Sequence, residues 1–310
     1  MIKSKFRKIF VVIAGIIIIC VFVYFLIPSK ELLINIPAGS TPRQVAKILK
    51  DDRMINSENV FLSLVYLTRT DKKFKPGTYK IDNRMLSLGI LKNIVLGNTH
   101  KTRVTIPEGF TSGEIAELLE KKEVCNSKKF LEIVKKRKLE GYLFPETYYF
   151  DPATPAENVV DILNNQFKKI YTDDFSERAK QIKMPEDKVI ILASIIEKEA
   201  KKNVERPLIS GVFHNRIRKG WNLESCATVL YALGKHKDSL TYKDIKVESP
   251  YNTYIHPGVP PGPICNPGLA SIKAALYPAT TDDMFFVADG SGTHNFSKYF
   301  AEHNSKKKKR

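Results

Sequence analysis

Residues 34–57, INIPAGSTPRQVAKILKDDRMINS, and residues 104–127, VTIPEGFTSGEIAELLEKKEVCNS, are two copies of one unit set 70 positions apart. Ile36/Ile106, Pro37/Pro107, Gly39/Gly109, Thr41/Thr111, Ala46/Ala116, Leu49/Leu119, Asn56/Asn126 and Ser57/Ser127 coincide, and with a slip of one, KPGTYKI (75–81) answers FPETYYF (144–150). Self-similarity at a fixed offset marks a repeated supersecondary unit. Each copy reads as a short strand ending at Ile-Pro, a Thr-capped amphipathic helix, a second helix after Asn-Ser and a closing strand through Thr-Tyr. The first half of the chain is therefore expected to mix helix and strand. Between the copies, MLSLGILKNIVLGN (85–98) predicts one further amphipathic helix stopped by Gly97.

Ahead of the repeats, IFVVIAGIIIICVFVYFLI (9–27) is nineteen residues without a charge. At about 1.5 Å per residue it is long enough to cross roughly 30 Å of hydrocarbon, which predicts a single transmembrane helix. A cleaved signal peptide would have an apolar core of about 7–15 residues and a small-residue cleavage site, which IPSKELL does not offer. Seven apolar residues, Val21–Ile27, follow Cys20 and argue against a lipid anchor there. Lys3, Lys5, Arg7 and Lys8 precede the span with no acid among them, so residues 1–8 are expected in the cytoplasm and everything after Pro28 outside the cytoplasmic (inner) membrane.

The chain has 310 residues, enough for one large or two modest domains, and a formal charge of +17. Without the four N-terminal cations and the tail Lys306–Arg310, +8 remains, so the body itself is basic. Outside a membrane such a surface meets anionic lipid or anionic wall polymer; Trp221 and the tyrosines do not alternate with basic residues as a nucleic-acid stacking strip would. The 306–310 run reads as a basic, disordered tail. Cys125, Cys226 and Cys265 are widely spaced, without Cys-x-x-Cys, and the six histidines form no His-Glu-x-x-His, so no disulfide framework, metal or cofactor is expected.

DPATPAEN (151–158) reads as a break before a further domain. Helices fit 156–170 and 174–181, and a third begins at Pro185 and runs to about Lys202. It carries VIILASIIEKEA (189–200). Steps of three, four and seven back from Glu197 reach Ser194, Ala193 and Ile190; from Glu199 they reach Ile196, Ile195 and Leu192. Glu197 thus tops a stripe with small side chains and room beside it, whereas Glu199 sits over bulky aliphatics. A carboxyl on an apolar helix face loses hydration and can stay protonated as a general acid. The alternative is a helix end meeting water. Downstream, five prolines and three glycines crowd residues 257–268, a stiff stretch that can be neither a helix nor an inner strand. It follows Tyr251, Asn252 and Tyr254, a grouping suited to stacking on sugar rings, or else a structural strap. MFFVADG (284–290) predicts a buried strand, after which His294 and His303 are candidates for a carboxylate partner or a structural role.

EGYLFPETY (140–148), ASIIEKEA (193–200), the NRI of VFHNRI (212–217), YNTY…GVPPGPICNPG (251–268) and FFVADGSGTHNFSKYFAEHN (285–304) together resemble the YceG-like family of endolytic murein transglycosylases. The whole chain then reads as α+β: the transmembrane helix, a repeat region whose strand-helix-helix-strand layout resembles the LysM module (28–100 with its linking helix, then 101–150) and a mixed α+β catalytic domain over 151–305. LysM modules bind N-acetylated wall glycans, although these copies could equally only space and stiffen the link to the membrane. The implied reaction cuts peptidoglycan strands internally between N-acetylmuramic acid and N-acetylglucosamine. As the first glutamate of Glu-Lys-Glu, Glu197 would protonate the glycosidic oxygen and then, as carboxylate, deprotonate the 6-hydroxyl that closes onto C1, leaving a 1,6-anhydro end. The matching motifs make Asn215, Arg216, Thr228, Tyr251, Asn252, Tyr254 and His294 the expected substrate contacts, and peptidoglycan synthases the expected partners. Where the family commonly has Leu-Gln-Ser-Asp-Pro-Thr-Val, this chain has LESCATV (223–229), which removes a carboxylate at position 226 and keeps Thr228. A muramidase-type hydrolase would instead need a second carboxylate such as Glu199, Glu224 or Glu248. A non-catalytic wall-binding scaffold is the further alternative.

Overall fold

The computed structural model describes Gly15 and residues 30–308, apart from 153, 235, 236, 238 and 239. The span expected at 9–27 lies, but for Gly15, outside the described residues. Among those residues no helix is long and apolar enough to cross a membrane. The chain divides after Thr102 into two compact units, and its secondary structure is mixed α+β.

The first unit contains β1 (Glu31–Ile36), α1 (Pro42–Asp51), α2 (Glu58–Leu67), β2 (Gly77–Asp82) and α3 (Ser87–Leu96). β1 and β2 pair antiparallel, Ile34 opposite Tyr79 and Ile36 opposite Gly77. Thr41 caps α1 in a capping box with Gln44, the Thr41 N–H donating to Gln44 Oε1 at 2.7 Å. Val45, Ala46 and Leu49 on α1 meet Ile34, Ile36, Phe61, Tyr79 and Ile81 in one core. α3 ends as the sequence predicts: Gly97 takes the left-handed conformation, φ 76°, and its N–H bonds to Asn93 O.

The second unit opens with the second copy in the same order: β3 (Thr102–Thr105), α4 (Ser112–Lys121), α5 (Ser127–Arg137) and β4 (Thr147–Phe150). Thr111 and Glu114 repeat the capping box, and Asn126 caps α5 by accepting from Lys129 N. There follow α6 (Ala156–Ile170), α7 (Asp173–Gln181), α8 (Glu186–Glu199), a 3-10 turn (Asn203–Glu205), α9 (Arg206–Arg218), α10 (Cys226–Leu233), α11 (Tyr242–Ile245), α12 (Leu269–Leu276), β5 (Phe285–Ala288), β6 (His294–Ser297) and α13 (Phe300–Lys308). The core of the second copy does not stop at the 151–158 break, because Val159, Val160 and Leu163 of α6 complete it while Phe167 of the same helix and its C-cap residue Tyr171 enter the next core.

α8 is the axis of that next core. All eight residues from Val189 to Ile196 are buried, with α12, α9, α10 and α7 packed around the helix. It stops at Glu199, short of the expected Lys202, because Ala200 turns to extended backbone (φ −84°, ψ 119°). The stretch read as a buried strand does form β5, but all four of its residues are only half-buried, in a two-stranded antiparallel hairpin with β6. α13 continues through Lys308, three residues into the run whose composition alone suggests a disordered end; Lys306 is tied there, its amine donating to Phe296 O.

Candidate active site

The last turn of α8 brings Glu197 out of the core beside the first turns of α9 and α12. Its side chain is only 6% exposed. One carboxylate oxygen lies 2.7 Å from Arg206 Nη2 and the other accepts the Gly268 N–H at 2.9 Å. Gly268 is the N-cap of α12, so the helix start adds its own favourable field to that hydrogen bond. Arg206 is itself 7% exposed and held by Nε to Ser271 Oγ (2.8 Å) and Nη1 to Asn203 Oδ1. Charge-assisted bonds of this kind fix a carboxylate in one orientation.

The room expected beside the stripe below Glu197 is taken by the proline-rich stretch. The Ser194 hydroxyl accepts from Ile264 N at 3.0 Å, the Cys265 thiol donates to Ser194 O, and Gly141 lies where a β-carbon would come within 2.5 Å of Pro263 and 3.1 Å of Ile190. The stripe ends at Glu197, whose carboxylate is covered in turn by Arg206 and the Gly268 N–H.

A second carboxylate arrives from the second repeat copy. Glu108 Oε2 lies 4.0 Å from the same Arg206 Nη2, on a side chain 49% exposed. It rests directly on Gly268, where a β-carbon would fall 1.9 Å from Glu108 Oε1. Partial burial and the charge of Glu197 push the Glu108 carboxyl above its ordinary range, against a smaller opposing pull from Arg206. The turn carrying it is fastened to the far side of the site. Gly109, at φ 80°, donates to Asn266 O (2.9 Å), and its own carbonyl accepts from Lys198 Nζ (3.0 Å). The buried Asn266 side chain accepts from Leu143 N (2.9 Å) and donates to Phe110 O (3.0 Å) and Glu140 Oε1 (3.1 Å). Burial raises the Glu140 carboxyl too, although Ser112 N donates to both of its oxygens.

The remaining sequence-predicted residues fall into three groups around this centre. Glu199 accepts from Ser225 Oγ at 2.5 Å, and burial raises its carboxyl. Close to it, Thr228 bonds to Ser225 O and Thr253 Oγ1 (both 2.8 Å), Asn252 spends its amide on Ile245 O and Val247 O, and the Tyr254 hydroxyl lies 3.2 Å from Cys226 Sγ. Thr228 and Asn252 are wholly buried, whereas Tyr254 is half-buried. Tyr251, also half-buried, packs its ring 4.9 Å from Tyr231. In the second group His294 offers its backbone N–H and ring Nδ1 to the two oxygens of buried Glu205, at 2.7 and 3.2 Å. In the third, Asn215 holds Thr281 O and Asp283 O, and buried Arg216 holds Met284 O, Asn222 O, Leu223 O and Glu224 Oε2. These last two residues use their donors on the frame of the domain. Among the described residues no three His, Cys, Asp or Glu side chains converge to hold a metal ion.

Sequence reasoning missed Arg206, Gly268, Asn266 and Glu108. Arg206 stands nine residues beyond Glu197, across a helix break that periodicity does not bridge. Glu108 had a signal: it stands where the first copy has Ala38, between a proline and a glycine that the copies share.

A family model described as the YceG-like family matches residues 34–309. The chain is 36% identical to an endolytic murein transglycosylase of Bacillus subtilis, over 89% of this chain and 84% of that protein. It is 28% identical to one of Streptococcus pneumoniae over 84% of this chain, which spans only 55% of the streptococcal protein. A crystal structure of a YceG-like protein from Listeria monocytogenes superposes with a TM-score of 0.59 at 34% identity, covering 90% of this chain and 99% of that one. With the match running from the first strand to the last helix, the chain belongs to the YceG-like family.

Proposed function

We propose that this protein is an endolytic lytic transglycosylase, a lyase that cuts peptidoglycan glycan strands between N-acetylmuramic acid and N-acetylglucosamine and leaves 1,6-anhydro ends. The observation that carries the reading is the setting of Glu197: one carboxylate in the last turn of a buried helix, oriented by Arg206 and the Gly268 N–H. Its relatives' names point to the same reaction. Protonated Glu197 gives its proton to the glycosidic oxygen as the bond to C1 breaks. The resulting carboxylate, steadied by the guanidinium and the N–H, takes the proton of the muramic acid 6-hydroxyl as that oxygen closes onto C1. The group ends as it began, and no water is consumed.

The half-buried Tyr251 and Tyr254 are the candidates to meet sugar, while His294, its side chain 9% exposed and set on Glu205, joins Asn215, Arg216, Thr228 and Asn252 in holding the walls in place. The two repeat copies are LysM-like glycan holders, residues 9–27 anchor the chain in the cytoplasmic membrane with its catalytic part outside, and peptidoglycan synthases are its working partners. The layout of both copies, the charge-free span and the basic body support these assignments.

One observation favours a hydrolase as the second reading. Glu108 and Glu197 share a guanidinium nitrogen and so lie within about 7 Å of each other, a separation at which paired carboxyls can work on water or form a covalent intermediate. Mass spectrometry of murein digested by residues 28–310 separates the two. Anhydro ends that disappear with Glu197→Gln and persist with Glu199→Gln are the expected result; reducing ends would select the hydrolase, and full activity in Glu197→Gln would sink both.

A further inference from the structure

Arg206 poses a charge problem that Glu197 cannot solve alone. Resting on the lyase reading above, Glu197 alternates between neutral acid and carboxylate in each turnover. The guanidinium stays cationic throughout, and its side chain is 7% exposed. Ser271 and Asn203, which bind its other nitrogens, are neutral. Each time Glu197 carries a proton, a buried cation would lose its counter-charge, a severe cost in a dry site.

Glu108 fills that gap. Its Oε2 is 4.0 Å from the nitrogen that Glu197 holds at 2.7 Å, and once Glu197 is neutral the charge that helps burial push the Glu108 carboxyl up is gone while the opposing pull of Arg206 remains. The close seat on Gly268 and the bonds from Asn266 and Lys198 to the 109–110 turn keep it there. We propose that Glu108, supplied by the second repeat copy, is the standing counter-ion of Arg206 and a positioning residue for Glu197, letting that group take and release its proton without stranding the guanidinium. The second copy is then part of the catalytic centre as well as a module of its own.

The charged and titratable groups facing this pair are few. From α8 come Glu197 and Lys198, the latter's amine bound to Gly109 O; from α9 comes Arg206; from the stretch before α12 comes the buried Cys265 thiol, whose ionisation burial opposes. Removing the Glu108 charge leaves Arg206 with Glu197 as its nearest anion and so favours the ionised form of the acid.

The test is the pH dependence of anhydro-end release from murein by the full chain and by Glu108→Gln. The expected result is an alkaline limb moved to lower pH by about one unit, so that the rate at pH 8 falls on the order of tenfold while the rate at the acid end changes less than about twofold. Glu108→Asp should recover most of the shift. Carbon-13 NMR of carboxyl-labelled glutamates supplies a readout that does not need turnover: the Glu197 signal should titrate at lower pH in Glu108→Gln than in the parent. An unmoved profile and an unmoved titration, or a loss equal at every pH, overturns the proposal and leaves the lyase reading intact. Activity surviving in Glu197→Gln overturns the lyase reading instead, and the carboxyl titration then still decides whether the two glutamates compete for Arg206.

Discussion

The smallest residue at the site is among its most constrained. Gly268 is not a glycine for backbone reasons, since its φ of −78° suits any residue. It is a glycine because Glu108 lies against its α-carbon while its N–H holds Glu197. Gly268→Ala should fold normally yet push the Glu108 carboxylate aside and tilt the N–H, lowering the rate of anhydro-end release by at least about tenfold, the scale of a sub-ångström misplacement of catalytic groups. Parent-like rates with an unchanged melting midpoint would show that this contact is idle. Glu197 could be picked from the sequence because helical period alone separates its neighbours from those of Glu199. The other site residues could not, because nothing in 108, 206, 266 or 268 announces that they converge, although the contrast of Ala38 with Glu108 singles out one of them.

At the level of elements, helix ends were legible where a side chain or a glycine sets them. Thr41, Thr111 and Gly97 fix their helices as their chemistry requires. The end of α8 was not, because the charged residues after Glu199 suit a helix and only packing turns Ala200 out of it. The 257–268 stretch was recognisable as irregular from its prolines, but its work as a clamp was not, since that depends on Asn266. Its side chain accepts from the Leu143 N–H and donates to Phe110 O and Glu140, joining the second repeat copy to the start of α12. Asn266→Ala strands the buried Leu143 N–H and frees the turn that carries Glu108. The expected cost is roughly 2–4 kcal/mol, seen as a melting midpoint lower by on the order of 5 °C or more, with a loss of rate that exceeds the loss of folded protein. Thermal unfolding followed by circular dichroism, run beside the murein assay, measures both.

Across the whole chain, the two copies have parted company. One completes its core with Ile90, Leu91 and Ile94 of α3, all within the unit that ends at Thr102; the other shares α6 with the domain that follows and delivers Glu108. Residues 103–308 should therefore fold alone and retain the carboxylate centre, whereas residues 151–308, cut where the composition suggests a boundary, should expose Val159, Val160 and Leu163 and aggregate. Size-exclusion chromatography with a murein assay on both fragments distinguishes these outcomes; a folded, active 151–308 fragment would refute the shared core and the need for Glu108 together. The repeat made the βααβ layout readable, but likeness between copies hides a difference in employment that appears only when the partners of each surface are known. The order of the chain gives that arrangement one more meaning. Ribosomes finish the segment bearing Glu108 first, Glu197 and Arg206 some ninety residues later, and Gly268 only near the end. A half-made chain therefore carries Glu108 alone, and one grown just past Arg206 has Glu197 and its guanidinium but not the Gly268 N–H, so the carboxylate can be held from both sides only once the start of α12 has been spelled out.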